Sequence, residues 1–239
     1  SVVFTEACYG ANILQKDTHD SIALRLLALQ VLAVVGSTKI AYGSITPPLL
    51  GADLLGKYFW EGLQARLTLG EALQYAKVNL ARDMQERQGY LDGEDQKTLI
   101  SFVLYGDPSL PVAALQDRLA TGSLSKGFCP AIVCQKKAQL QKSRVSDELI
   151  AAVKERVEAC LPHMAQAEMR VTTLGFCNGN CGQRCALAQG VVKVGKGQAR
   201  NLALTLEKSI SVTGDSAHRQ VVRVTVDETG HILKMAMSR

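Results

Sequence analysis

The sequence predicts an α/β layered domain followed by a smaller α+β domain, and three observations carry that prediction. Short apolar runs without helical period alternate with helical-period runs in the first half. A single long helical pattern followed by apolar residues at period two occupies the second. Charge and cysteine usage change between them: residues 1–116 hold 9 Lys+Arg against 12 Asp+Glu, and residues 117–239 hold 18 against 10, so the halves carry about −3 and +8. Cys8 stands alone in the first half, while Cys129, Cys134, Cys160, Cys177, Cys181 and Cys185 lie in the second. With Thr121-Gly-Ser-Leu-Ser-Lys-Gly127 between them, these shifts predict domains over 1–116 and 129–239 joined by a linker over 117–128.

Val2 to Ala7, rich in β-branched residues, reads as a buried strand of a parallel sheet that ends at Cys8-Tyr9-Gly10. Ser21 to Leu32 follows at helical spacing with Ser21 as N-cap, and Ala33 to Thr38 is the next buried strand. Leu49 to Ala65 and Thr68 to Gln85 read as helices, the second opening on the capping box Thr68-Leu-Gly-Glu71. Asp95 to Leu104 carries an apolar face that fits a helix or a strand, stopped by Gly106-Asp-Pro108. In an α/β domain function sits at the carboxyl ends of the strands, where Cys8 lies.

In the second half, Val145 to Ala167 reads as a long helix with Ser146 as cap, Asp147 and Glu148 in its first turn, and Pro162 bending or ending it. Leu202 to Leu206, Ile210 to Val212, Val221 to Val226 and Ile232 to Met237 alternate at period two, and Asp227-Glu-Thr-Gly230 makes the last pair a hairpin. One helix on an antiparallel meander is a common shape for a binding or regulatory module, and no catalytic set is evident in it.

The composition, 239 residues with 47% hydrophobic and 21% charged, excludes a disordered or fibrous chain. The longest apolar stretch, Ile22 to Val35, is broken by Arg25 and Gln30 short of the roughly 20 residues a membrane span needs. The start Ser-Val-Val-Phe lacks both an initiator Met and a secretory signal, and a strand-like opening is expected of a chain cut from something longer. The basic second half attracts anions, but its charges are scattered and aromatics are scarce, so nucleic acid is not the expected partner. Seven cysteines cannot all pair internally.

A thiol just after a strand, followed by Tyr-Gly, occupies a place suited to a nucleophile: glycine permits close approach of a substrate, and the sheet end is open. Such a cysteine also fits a small buried hydrophobe. Catalysis by its thiolate requires a base and backbone N–H donors for the oxyanion.

The wording of the segment selects between these. Phe4-Thr-Glu-Ala-Cys-Tyr-Gly-Ala11 resembles the nucleophile segment of caspase-like cysteine peptidases, and Glu6-Ala7-Cys8 resembles that of the legumains. Together with Ala33-Val-Val-Gly-Ser-Thr-Lys-Ile-Ala-Tyr-Gly-Ser44, Gly51-Ala-Asp-Leu-Leu55, Gly70-Glu-Ala-Leu-Gln-Tyr-Ala-Lys77 and Phe102-Val-Leu-Tyr-Gly-Asp-Pro-Ser109, it is most similar to bacterial gingipain-family peptidases over about residues 1–113. The resemblance implies a caspase-hemoglobinase layered domain, incomplete at its N-terminus, with Cys8 as nucleophile and its own N–H as an oxyanion donor. The family's catalytic His lies on an earlier strand, so an upstream segment or another chain is expected to supply it. His19, in a solvated loop 11 residues after Cys8, does not match the family position, and His163, His218 and His231 lie in the second half.

The same resemblance places Glu6 in the pocket for the first substrate side chain, with Ser37 and Thr38 as its facing wall. A carboxylate there favours a basic or amide-bearing side chain, although Glu6 also fits a structural carboxylate accepting backbone N–H bonds. The expected partner is therefore a protein or peptide cut after a basic residue. No cofactor is required for this chemistry. Asp53, Asp92, Asp95 and Asp107 could bind structural calcium, as some relatives in the clan do, but capping and turns explain the same residues equally well and no calcium site is assigned to them. Cys177, Cys181 and Cys185, with Cys129 or Cys134, could hold zinc or form disulfides; export favours the disulfides and a cytosolic setting the metal. The resemblance favours a secreted or cell-surface location. Two other readings fit the residues: a cytosolic caspase-like signalling module switched by a partner, and a non-catalytic scaffold that has kept the fold.

Overall fold

The computed structural model describes residues 1–112, 133–135, 146–164, 166–176, 201–211, 217–227 and 229–238. It divides into two compact units, one of residues 1–43 and 49–130 and one of residues 44–48 and 131–238.

In the first unit β1 (Val2–Thr5) runs parallel to β2 (Ala33–Ser37) through the crossover helix α1 (Ile22–Ala28). Ser21 caps that helix, its Oγ accepting from Leu24 N at 3.4 Å. The helix ends before Gln30, which adopts φ 61°, so it stops short of the expected Leu32. All five residues of β2 are buried, as a central strand requires, while β1 is half-buried at the edge rather than enclosed. β3 (Tyr42–Ser44) is a three-residue strand, and two helices follow: α2 (Gly51–Gln64) and α3 (Leu69–Gln88), the latter with the expected capping box between Thr68 and Glu71.

The ambiguous stretch 95–104 turns out to be both structures in succession: α4 (Gly93–Ser101) passes directly into β4 (Phe102–Gly106). β4 pairs antiparallel with β2, Val34 opposite Tyr105, so the expected parallel sheet is a mixed one. Strand direction is set by whether the chain enters from above or below the sheet, which local periodicity does not record. The Phe4 ring lies 5.6 Å from those of Phe59 and Phe102, tying β1 to α2 and β4.

The second unit is an antiparallel sheet in the order β5 (Val133–Gln135), β6 (Glu168–Phe176), β7 (Leu202–Ser211), β8 (Ala217–Val226), β9 (Ile232–Ser238), with α5 (Asp147–Cys160). Leu204 faces Val224 and Leu206 faces Val222 across β7 and β8, and with Met235 they bury against Val153 and Val157 of α5. Ile45, from residues 44–48, packs on this core. Ser146 caps α5 through Leu149 N at 3.2 Å. The helix stops at Cys160, where Pro162 begins a 3-10 turn to Met164, rather than continuing to Ala167. From Glu168 the chain forms β6, a strand beyond those expected from the alternating runs. The two alternating runs 202–206 and 210–212 belong to one strand, β7, which ends at Ser211. The turn between β8 and β9 is held by Asp227, whose Oδ1 accepts from Thr229 N, Thr229 Oγ1 and His231 N at 2.9, 2.7 and 2.9 Å.

Candidate active site

The site lies where β1 and β2 end. Residues Cys8 to Ala11 form a turn after β1, and Thr38 to Ala41 a loop after β2. Backbone hydrogen bonds lock one to the other: Tyr9 N–H donates to Lys39 O at 2.9 Å and Ala11 N–H to Ser37 O at 3.0 Å. Within the turn Gly10 N–H donates to Ala7 O at 3.0 Å and Asn12 N–H to Tyr9 O at 2.9 Å. The turn closes because Tyr9 adopts φ 59°.

The turn also fits closely onto the sheet. Thr5 occupies the space that two glycines leave open. A Cβ on Gly10 would meet the Thr5 side chain at 2.8 Å, and one on Gly36 would meet Thr5 Cγ2 at 2.5 Å and Ala11 Cβ at 3.2 Å. From β4, Tyr105 reaches across to donate its hydroxyl to Ala11 O at 3.0 Å. Burial pushes the Tyr105 phenol above its ordinary range, so it holds its proton as a donor must.

Cys8 is half-buried and free, and its Sγ donates to Ala41 O at 3.6 Å. Among the described residues its own N–H has no hydrogen-bond acceptor, while the amides of Tyr9, Gly10, Ala11 and Asn12 all do. A half-accessible thiol beside an unoccupied amide is an arrangement that can attack a carbonyl and receive the resulting oxyanion.

Glu6, also half-buried, precedes the turn and is engaged in an interaction within the protein. Thr38 is half-buried, with its N–H and Oγ1 both donating to Ser101 O, at 2.9 and 3.2 Å. Ser37 is fully buried; its hydroxyl donates to Lys39 O at 2.9 Å, shares a 2.9 Å hydrogen bond with Ser101 Oγ and accepts from Lys39 N–H at 3.2 Å. Its side chain thus shapes the loop from inside, and Thr38 is the outward neighbour. Nothing in the local sequence marks Ser101 or Tyr105 as a neighbour of this turn. Tyr105 stood in a segment noted for its resemblance, but only the β2–β4 register brings it over the turn.

His19 is exposed, its N–H donating to Asp17 Oδ1 at 2.7 Å, and among the described residues no histidine hydrogen-bonds to Cys8. His163 Nε2 lies 2.6 Å from Gln220 Oε1, and His231 sits on the Asp227 turn. The candidate calcium aspartates have local roles. Asp92 and Asp95 form a reciprocal capping box at α4, Asp95 also accepting from Gln88 Nε2 at 2.7 Å. Asp107 accepts from Ser109, which holds its carboxyl below the usual range. Asp53 lies in the first turn of α2. Among the described residues no group of three or more His, Cys, Asp or Glu could hold a metal ion, and no helix is long and apolar enough to cross a membrane. Cys129, Cys177, Cys181 and Cys185 lie outside the described residues, and for Cys134 only the strand is described.

Residues 1–113 match the model of peptidase family C25. No curated protein and no solved structure matches the chain. The matched span contains the whole Cys8 turn and every residue that fixes it, and over that span the chain is similar to the gingipain family of cysteine peptidases, which are hydrolases.

Proposed function

We propose that the protein is a cysteine endopeptidase of caspase-like fold in which Cys8 is the nucleophile and the first substrate side chain is basic. The observation that carries this reading is the Cys8 turn itself: a half-buried thiol at the end of a parallel strand, next to the one amide of the turn that has no acceptor among the described residues. Cys8 Sγ attacks the carbonyl carbon of the scissile peptide bond, and the Cys8 N–H receives the oxyanion. The carbon–nitrogen bond then breaks, the amine leaves with a proton delivered by a histidine, and water hydrolyses the thioester to regenerate the thiol. That histidine comes from a segment or chain other than the described residues. Glu6 and Thr38 line the pocket for the basic side chain, with Ser37 backing Thr38 through Lys39 and Ser101. The second unit serves as an accessory module for binding or regulation.

The test is to treat the intact gene product with arginyl, lysyl and asparaginyl chloromethyl ketones and map the adducts by mass spectrometry. Labelling of Cys8 by the arginyl or lysyl reagent is expected. Labelling by the asparaginyl reagent alone would overturn the basic preference, and no labelling of Cys8 by any would favour a scaffold that has kept the fold.

A further inference from the structure

We propose that Tyr9 is a specificity-determining residue, its ring packing against an apolar or aromatic substrate side chain that flanks the scissile bond. The proposal rests on Cys8 being the nucleophile, since peptide bonding places Tyr9 about 3.8 Å from it between Cα atoms.

Two observations meet at this residue. First, its backbone is in the left-handed region at φ 59°, where an aromatic side chain is a genuine outlier and glycine is the default. Both of its backbone hydrogen bonds, N–H to Lys39 O and carbonyl from Asn12 N–H, are made by main-chain atoms, so glycine would form the same turn without strain. The turn therefore explains the conformation but not the side chain. Second, the ring is not there to fill the core. It is 45% exposed, and among the described residues it stacks on no other ring, pairs with no cation, and its hydroxyl makes no hydrogen bond.

Strain of this kind persists where surrounding structure over-determines it and clusters at ligand clamps. Here four backbone hydrogen bonds and the Tyr105 hydroxyl hold the turn, with Thr5 packed beneath it. A rigid aromatic ring of two side-chain torsions, held outward beside a nucleophile, offers contact area at little entropic loss. Its surface matches an apolar or aromatic neighbour, whereas the residue cut after is chosen elsewhere, by Glu6 and Thr38.

The experiment is a positional scan with peptide substrates varied at each position flanking a fixed basic residue. It compares the intact gene product with Tyr9→Gly, Tyr9→Phe and Cys8→Ala. Expected is a wild-type preference for apolar or aromatic residues at one flanking position, about tenfold in kcat/KM. Tyr9→Gly should flatten that position alone, leave the basic preference intact and melt no lower than wild type, because the strain is relieved. Tyr9→Phe, which keeps the ring, should restore the preference. A Tyr9→Gly profile that superposes on the wild type overturns the proposal. So does a uniform loss on all substrates with a lowered Tm, which marks a structural role, and so does a Tyr9→Phe profile as flat as that of Tyr9→Gly. Wild-type cleavage no faster than Cys8→Ala overturns this proposal together with the reading it rests on: with the basic preference where the asparaginyl reagent still labels Cys8, and with Cys8 as nucleophile where none of the three reagents does.

Discussion

The two units hold their sheets by different means. In the first, the loops that end β1 and β2 are positioned by close approach: Thr5 sits where Gly10 and Gly36 have no side chain, and main-chain hydrogen bonds fasten the Cys8 turn to the residues after β2. In the second, the large side chains of strands β7, β8 and β9 that pack on the helix share one face, Leu204, Leu206, Val222, Val224 and Met235 against Val153 and Val157, with Thr205, Arg223 and Thr225 alternating between. The difference separates two jobs. Bulk side-chain volume stabilises a sheet, but it does not place a particular amide and thiol to within a fraction of an ångström; close backbone contact does.

Truncating the apolar face should have the largest effect. Leu204 is fully buried, and Leu204→Ala should lower the unfolding free energy by about 2–5 kcal/mol, read from urea titration. A loss below half a kcal/mol would mean that this face is not what holds the second unit.

The close approach in the first unit should yield a smaller loss with a different signature. Gly36→Ala puts a methyl against Thr5 Cγ2 and Ala11, an overpacking that costs about 1–3 kcal/mol, and should also change the rate at which iodoacetamide alkylates Cys8. Thr5→Ser removes the clashing methyl, so the double variant should recover a measurable part of both losses. Strict additivity of the two substitutions would refute the interlock.

The smallest effect should come from Lys77 on α3, whose half-burial lowers its ammonium below the ordinary value of 10.5. The folded state then binds this proton less tightly than the unfolded chain, so the penalty is fully present below the folded pKa. It disappears as pH rises through that value towards 10.5. Lys77→Met should raise the Tm modestly at pH 7, with the gain shrinking towards pH 10.5. A gain that does not change with pH would assign the effect to side-chain packing instead.

Much of this architecture is legible locally. Thr68 and Glu71 announce the start of α3, Ser146 and the acids after it announce α5, and the Asp227 turn announces the last hairpin, because each is a contact between residues a few positions apart. The Cys8 turn is legible for the same reason: a strand end followed by Tyr-Gly. What escapes the sequence depends on partners far along the chain. Nothing near Phe102 says that β4 runs antiparallel to β2, or that Tyr105 will meet Ala11, 94 residues away. Ser37 stood at a strand end where a pocket wall was expected, and its inward hydroxyl is explained only by Ser101, 64 residues on. The strand β6 is readable, since Met169 and Val171 alternate with Glu168, Arg170 and Thr172, but the alternation is short and begins directly where the helical reading to Ala167 ends.

Ile45 bears on how this chain is made and cut. It belongs to the short segment 44–48 that groups with the second unit, and it packs on a core whose other members begin at residue 149. During synthesis this isoleucine emerges about a hundred residues before the helix and strands it will meet, so its docking waits for a late, long loop closure. For the same reason, a fragment excised at residue 131 would leave a vacancy where Ile45 packs, and a faithful excision of the second unit must carry residues 44–48 with it.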